Sequence, residues 1–328
     1  MRRVAAVLLA CLAANLAACG HKAAPSTDLV FVSDEAMNVV HVVDGATGRI
    51  EGRLATGRRP RGMALSPDRR TLYVAASDDN RIEAWDVATR RRVRLLDAGP
   101  DPERFVVSPD GRWLYVANED DSAVSFLDLA SGRVVREVRV GPEPEGMGVS
   151  PDGRLVVATA EASSTAHFIE APSGRTLATA IVGTRPRDVL FLDQGRRIWI
   201  SSEQRGTISI FDAATRQRVG LVDLVPAFPD VAQVQTVEMD ATRDGRRVFV
   251  AMGRSDRVAE INPATLRIVR SFETGHRTWG IGLSPDDRRL YAASGLSGTL
   301  TIVDLAKNRV LHVVALGGKP WSALAVPR

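Results

Sequence analysis

Arg61, Glu103, Glu145 and Arg187 recur at intervals of 42 residues, and Trp279 and Trp321 stand one such interval apart. Gln235 falls between the two groups, in a stretch where the spacing breaks. Alternating charge at a fixed interval offers ion pairing. If these residues form an exposed ring, each pair contributes about 0–1 kcal/mol. Arg and Trp are also the side chains favoured at recognition hot spots, so the same set reads equally as a binding patch. Glu103 and Glu145 could act as paired acids.

Other chemistry is thin. The histidines are His21, His41, His167, His276 and His312, and no two lie at metal-ligand spacing. His276 is the one near the ring. There is no G-x-S-x-G elbow, phosphate-binding glycine loop or dinucleotide fingerprint. The recurrent Ser-Pro-Asp at Ser66, Ser108, Ser150 and Ser284 is turn chemistry: Pro presets φ and Asp bonds its own backbone. No cofactor or metal site is expected.

The elements that would position these residues follow from a repeat. An apolar residue followed by Asp or a close relative ends at Asp44, Asp86, Asp128, Glu170, Asp212, Asn262 and Asp304, in steps of 42 apart from one of 50. A glycine marker, Gly57, Gly99, Gly141, Gly183, Gly275 and Gly317, keeps the same period with the same single insertion. Each repeat reads as four short strands, in the second repeat Gly62–Leu65, Thr71–Ala75, Arg81–Asp86 and Val93–Leu96. The first repeat, starting at Leu29, lacks an innermost strand. Pro320–Val326 is an innermost strand with nothing after it. The two fragments complete one unit, which predicts an all-β, seven-bladed β-propeller over residues 28–328, closed by pairing the C-terminal strand with the N-terminal ones. Counting four residues past each marker glycine reaches the mouth of the central channel, which is where the seven residues above are expected. The insertion loop Leu221–Gln235 is expected over the same face, with Phe228 exposed near its tip as a candidate contact.

The 328 residues carry 45% hydrophobic and 25% charged residues, which excludes a disordered chain and a multi-span membrane protein. Of the 43 basic residues only Lys22, Lys307 and Lys319 are lysines, and the net charge is +4. That spread does not point to nucleic acid.

The second strands Leu72-Tyr73-Val74-Ala75, Leu114-Tyr115-Val116-Ala117-Asn118 and Leu290-Tyr291-Ala292-Ala293, preceded by runs such as Gly141-Pro142-Glu143-Pro144-Glu145-Gly146, resemble the YVTN class of β-propeller repeats. Trp85-Asp86 mimics the WD-repeat dipeptide, but Leu127, Phe211 and Val303 precede the Asp elsewhere. Within the class the chain most resembles the PQQ-dependent catabolism-associated β-propellers. That resemblance implies a periplasmic binding or scaffold role near quinoprotein alcohol oxidation, with a quinoprotein dehydrogenase as partner. PQQ itself is associated by resemblance alone. Lactone hydrolases and haem-bearing nitrite-reductase-like domains are related propellers, so an enzyme remains the alternative; the haem form would need an axial histidine, with His276 the candidate.

At the N-terminus, Met1-Arg2-Arg3 and an apolar run to Leu16 end in Leu16-Ala17-Ala18-Cys19-Gly20, which resembles a bacterial lipobox. The resemblance implies a signal peptide over 1–18, lipidation of Cys19 and a tether over 19–27. Gly20, where inner-membrane lipoproteins usually have Asp, leans the sorting toward the outer membrane. Cys11 would leave with the signal, so the mature chain has no intramolecular disulfide.

Overall fold

The computed structural model describes residues 28–328. The signal peptide, Cys19 and the tether lie outside the described residues. Seven four-stranded antiparallel sheets form the blades of a closed ring. The first blade orders β28 (Pro320–Pro327), β1 (Asp28–Asp34), β2 (Val39–Asp44) and β3 (Ile50–Ala55) from the hub outward. The second is β4 (Pro60–Leu65), β5 (Thr71–Ala76), β6 (Arg81–Asp86) and β7 (Arg92–Asp97), and five further blades repeat that order. Their innermost strands are β8 (Pro102–Val107), β12 (Pro144–Val149), β16 (Pro186–Leu192), β20 (Met239–Ala241) and β24 (Thr278–Leu283).

The two middle strands of each blade are covered on both faces by neighbouring blades. They therefore read as continuous apolar runs; β5, TLYVAA, is buried from its second residue onward. The outer strands are half wet, and in β7 only Leu96 is buried. The core divides into seven apolar clusters, one between each pair of adjacent blades. Tyr115, Phe126 and Ile169 fill one such gap, and Phe168, Ile200 and Phe211 another.

The ring closes as the sequence predicts. β28 pairs antiparallel with β1, Leu29 opposite Val326 and Phe31 opposite Leu324. Asp34 pins the seam: its Oδ1 accepts the N–H groups of Ala36, Met37 and Lys319 at 2.9–3.1 Å, and its Oδ2 lies 3.2 Å from His41 Nε2. Burial opposes ionisation of Asp34, but His41 and these backbone donors hold its carboxyl below the usual range. The Ser-Pro-Asp segments are turns. Ser66 Oγ donates to Asp68 Oδ1 at 2.6 Å and accepts from Thr71 N at 3.0 Å.

Candidate functional site at the channel mouth

Six of the seven innermost strands enter the hub through a bulge, β20 being the exception. Pro60 and Met63 pair with Ala76 and Val74, so Arg61 and Gly62 fall out of register, and the same break recurs at Pro102/Phe105, Pro144/Met147, Pro186/Asp188 and Thr278/Gly280. A bulge frees a side chain from the ladder and re-aims it. Here it turns Arg61, Glu103, Glu145, Arg187 and Trp279 toward one another around the mouth. Small residues behind them let the strands converge: a Cβ on Gly62 would lie 2.5 Å from the carbonyl oxygen of Glu103, and one on Gly146 would lie 2.9 Å from that of Arg187.

The expected neighbours meet. Arg61 Nη1 pairs with Glu103 Oε1, and Arg61 Nε donates to Glu35 Oε2 at 3.0 Å. Arg59 Nη2 reaches the same Glu103 oxygen at 2.5 Å. Across the mouth, Arg187 is held by Glu145 and Glu161 through Nη1, and donates from Nε to Glu203 Oε2 at 2.7 Å. Arg185 adds a 2.7 Å pair with Glu161. The ring is not exposed. Glu103, Glu145, Arg187, Trp279 and Trp321 are all buried. The tryptophans share one core cluster with Val237, and guanidinium groups cover their faces: Arg187 and Arg277 stand 4.8 and 4.3 Å from the Trp279 ring centre, Arg104 4.9 Å from that of Trp321. The mouth is thus a recessed ionic network on an aromatic floor.

Two sequence expectations need correction. Gln235 stands two residues early. The 50-residue step puts Val237 at the ring position, and Gln235 occupies the place of Arg185 and Arg277 in their blades. It still joins the network, donating from Nε2 to Glu203 Oε1 at 3.0 Å and accepting Arg254 N–H at 2.6 Å. Phe228 is half-buried rather than exposed; it packs on the cluster of Leu224, Val234 and Met239. His276 is exposed, with Nδ1 2.6 Å from Asp256 Oδ2.

Sequence reading missed a second set of acids. Glu35, Glu119, Glu161 and Glu203 occupy equivalent turns between the second and third strands, and the 42-residue spacing of the last three, with Glu35 two intervals earlier, was the available signal. It also missed the tier below the ring, where Arg104, Asp188 and Glu238 share one repeat position. Arg104 Nη1 donates to Glu238 Oε1 at 2.8 Å and lies 3.5 Å from Asp188 Oδ1, crossing the channel and closing it. Beyond this plug a cavity of about 500 Å³ opens toward the opposite face, walled by Met63, Phe105, Met147, Phe191 and Leu324 among others.

Electrostatically the mouth is unusual. Burial, with Glu103 and Asp101 beside it, pushes the Glu119 carboxyl up to about 8. Burial pushes Glu161 and Glu238 to about 7, and Asp240 to about 6. Oxygens of Asp101, Glu103 and Glu119 lie within 4.8 Å of one another. Arg59 and Arg61 already neutralise this group, which favours a proton shared between carboxyls over a divalent cation. Glu119, when protonated, bonds Glu103; among the described residues Asp101 Oδ1 and Trp279 Nε1 are buried with no partner.

These shifts predict how stability varies with pH. Carboxyls raised above their unfolded values bind the proton more tightly in the folded state. Their contribution is full below about pH 4.5 and is lost as pH rises through the folded values. Asp34 has the opposite sign and weakens the seam only in acid, below its unfolded value. Thermal melts should therefore show Tm rising as pH falls from 8.5 to about 5, then dropping below about 4. A Tm that rises steadily from pH 5 to 8.5 contradicts the assignment.

A profile of the YNCE-like beta-propeller family matches residues 1–119 and 213–321. A profile of the cytochrome D1 heme domain matches residues 104–189. No curated protein matches significantly. Among solved structures, the periplasmic gluconolactonase PpgL of Pseudomonas aeruginosa superposes with a TM-score of 0.76 at 22% identity, over 92% of this chain and 99% of that one. Kuenenia stuttgartiensis hydrazine synthase gives 0.72 at 21%, over 84% and 92%. The dihydro-heme d1 dehydrogenase NirN gives 0.66 at 17%, over 90% and 74%. At these identities the likeness is one of fold. No described histidine lines the channel cavity, so the described hub offers a haem no axial imidazole there. With more than half its length matched by one profile, and seven blades around one hub, this chain belongs to the YNCE-like beta-propeller family.

Proposed function

We propose that this chain is a periplasmic, lipid-anchored binding module, accessory to PQQ-dependent alcohol oxidation, whose recessed mouth receives a polar ligand or the polar loop of a partner protein. The observation that carries the binding reading is the unspent hydrogen-bonding capacity at the mouth. Among the described residues, Asp101 Oδ1 and Trp279 Nε1 are buried without partners, beside carboxyls that titrate near neutrality. Native folds satisfy nearly all such atoms, and a polar guest would complete these. The anchor rests on Leu16–Cys19, and the oxidative setting on the resemblance of the repeats. A photo-crosslinking residue at exposed Glu143, on the rim of the mouth, should capture a quinoprotein dehydrogenase in intact cells. Capture of envelope lipoproteins alone, or equal capture from Val135 on an outer strand, counts against the reading.

The Asp101–Glu103–Glu119 group favours a second reading, hydrolysis of a sugar lactone. Water would add to the lactone carbonyl, the ring C–O bond would break, and a carboxyl that exchanges its proton near pH 7–8 would relay protons. Purified protein on glucono-δ-lactone should then release acid above the spontaneous rate, and Glu119→Gln should lose about 100-fold. No turnover above background retires this reading.

A further inference from the structure

The two faces of the disc differ in charge. Turns joining first to second and third to fourth strands lie on the face opposite the mouth. There, basic residues outnumber acidic ones, while on the mouth face acids predominate. The excess is ordered. Arg70, Arg112, Arg154, Arg196, Arg246 and Arg288 take the same place in six consecutive blades, and all are exposed. A second set, Arg49, Arg91, Arg133, Arg175, Arg267 and Arg309, stands at or one residue before the start of the outer strand in six of seven blades and is exposed as well. Equivalent positions in a ring of like blades lie at one height, so each set forms a circle, the second outside the first.

The acids of the same turns are exposed or half-buried, but they are tied to the backbone of their own turns. Asp68, Asp110, Asp152, Asp244 and Asp286 each accept the backbone N–H of the adjacent ring arginine at 3.0–3.1 Å, and Asp86, Asp128 and Asp304 bond their own turns in the same way. The guanidinium groups stay outward on long stems. Arg70, Arg154, Arg196 and Arg288 in the inner circle, and Arg91, Arg133, Arg267 and Arg309 in the outer, enter none of the ion pairs among the described residues.

The chain leaves the disc on this same face. Asp28 pairs with Pro327, and Arg328 reaches Asp44 at 2.9 Å and also Glu51, all at the arginine end of the first blade. The nine residues from Cys19 to Thr27 can span at most about 30 Å.

We propose that the arginine face lies against an anionic phospholipid bilayer, with the mouth directed away from it. In the cell this rests on the lipid-anchor reading, since acylated Cys19 would hold this face close to the surface. Two circles of cations on one face fit a broad array of phosphates, whereas a nucleic-acid duplex would touch only a strip of them.

The test uses the Cys19→Ser chain, which cannot be acylated. It should co-sediment with vesicles of phosphatidylglycerol and phosphatidylethanolamine at least tenfold better than with phosphatidylcholine vesicles, and raised salt should abolish the difference. Arg70→Gln/Arg154→Gln/Arg288→Gln should weaken that binding roughly 100-fold, at about fivefold per arginine, with Tm unchanged. Arg254→Gln/Lys319→Gln on the mouth face should leave it intact. Equal binding to both vesicles, or tighter binding to duplex DNA than to phosphatidylglycerol, overturns the proposal. Mass analysis of Cys19 in envelope-extracted protein judges the anchor separately. An acylated Cys19 without lipid preference removes only the face assignment; selective vesicle binding with an unmodified Cys19 removes only the anchor.

Discussion

Replacing Arg187 with methionine is expected to destabilise the fold by about 3–5 kcal/mol at neutral pH, the range for removing one partner from a buried ionic group. Among the described residues Arg187 is the single cation that touches Glu145, Glu161 and Glu203 together, and all four side chains are buried. Without it the three carboxylates face one another with only the half-exposed Arg185 nearby. Their folded-state proton affinities must rise. The deficit should be complete at pH 8 and should shrink as pH falls toward about 4.5, where the carboxyls are protonated in both states. Urea unfolding at pH 8 and pH 5 reads both numbers. Arg185→Met, losing a more exposed pair, should cost about 1 kcal/mol or less. If Arg187→Met costs no more than Arg185→Met, the network is a surface decoration rather than the keystone of the mouth.

The fold was legible because 42-residue spacing survives in residues that turns and bulges demand, and the mouth was legible only in part. Counting from the marker glycines found Arg61, Glu103, Glu145 and Arg187 because their blades have equal length. It misplaced Gln235 by two residues because that repeat has Gln233 where the others have a marker glycine to count from; the 50-residue step points to Val237. The burial of Trp279 and Trp321 was not readable: it depends on Arg187, Arg61 and Arg104 arriving from other blades. The plug of Arg104, Asp188 and Glu238 stayed hidden for a related reason. Gly62, Gly146, Gly280 and Ser322 hold the same position in other blades, so no pattern marks it as charged. The arginine circles were periodic in the sequence, but only strand direction reveals that they share a face.

Removing Pro320–Arg328 should abolish cooperative unfolding and leave an aggregating chain. The segment supplies the innermost strand of the first blade, and Trp321, Ala323 and Val326 are buried in three different inter-blade clusters. Its loss opens the ladder edge of β1 and unseals the gaps on both sides of that blade, so the damage exceeds that of any single core truncation. The synthetic peptide Pro320–Arg328 added during refolding should restore a two-state melt, because the open edge of β1 still offers its ladder and Ser33 Oγ the acceptor that seats Ser322 N–H. Asp34→Ala isolates the seam without removing the strand. It strands the N–H groups of Ala36, Met37 and Lys319 and the ring of His41, at a cost of about 2–3 kcal/mol, and the variant should remain folded. A truncated chain that melts cooperatively within a few degrees of the parent would mean that packing between blades alone closes the ring.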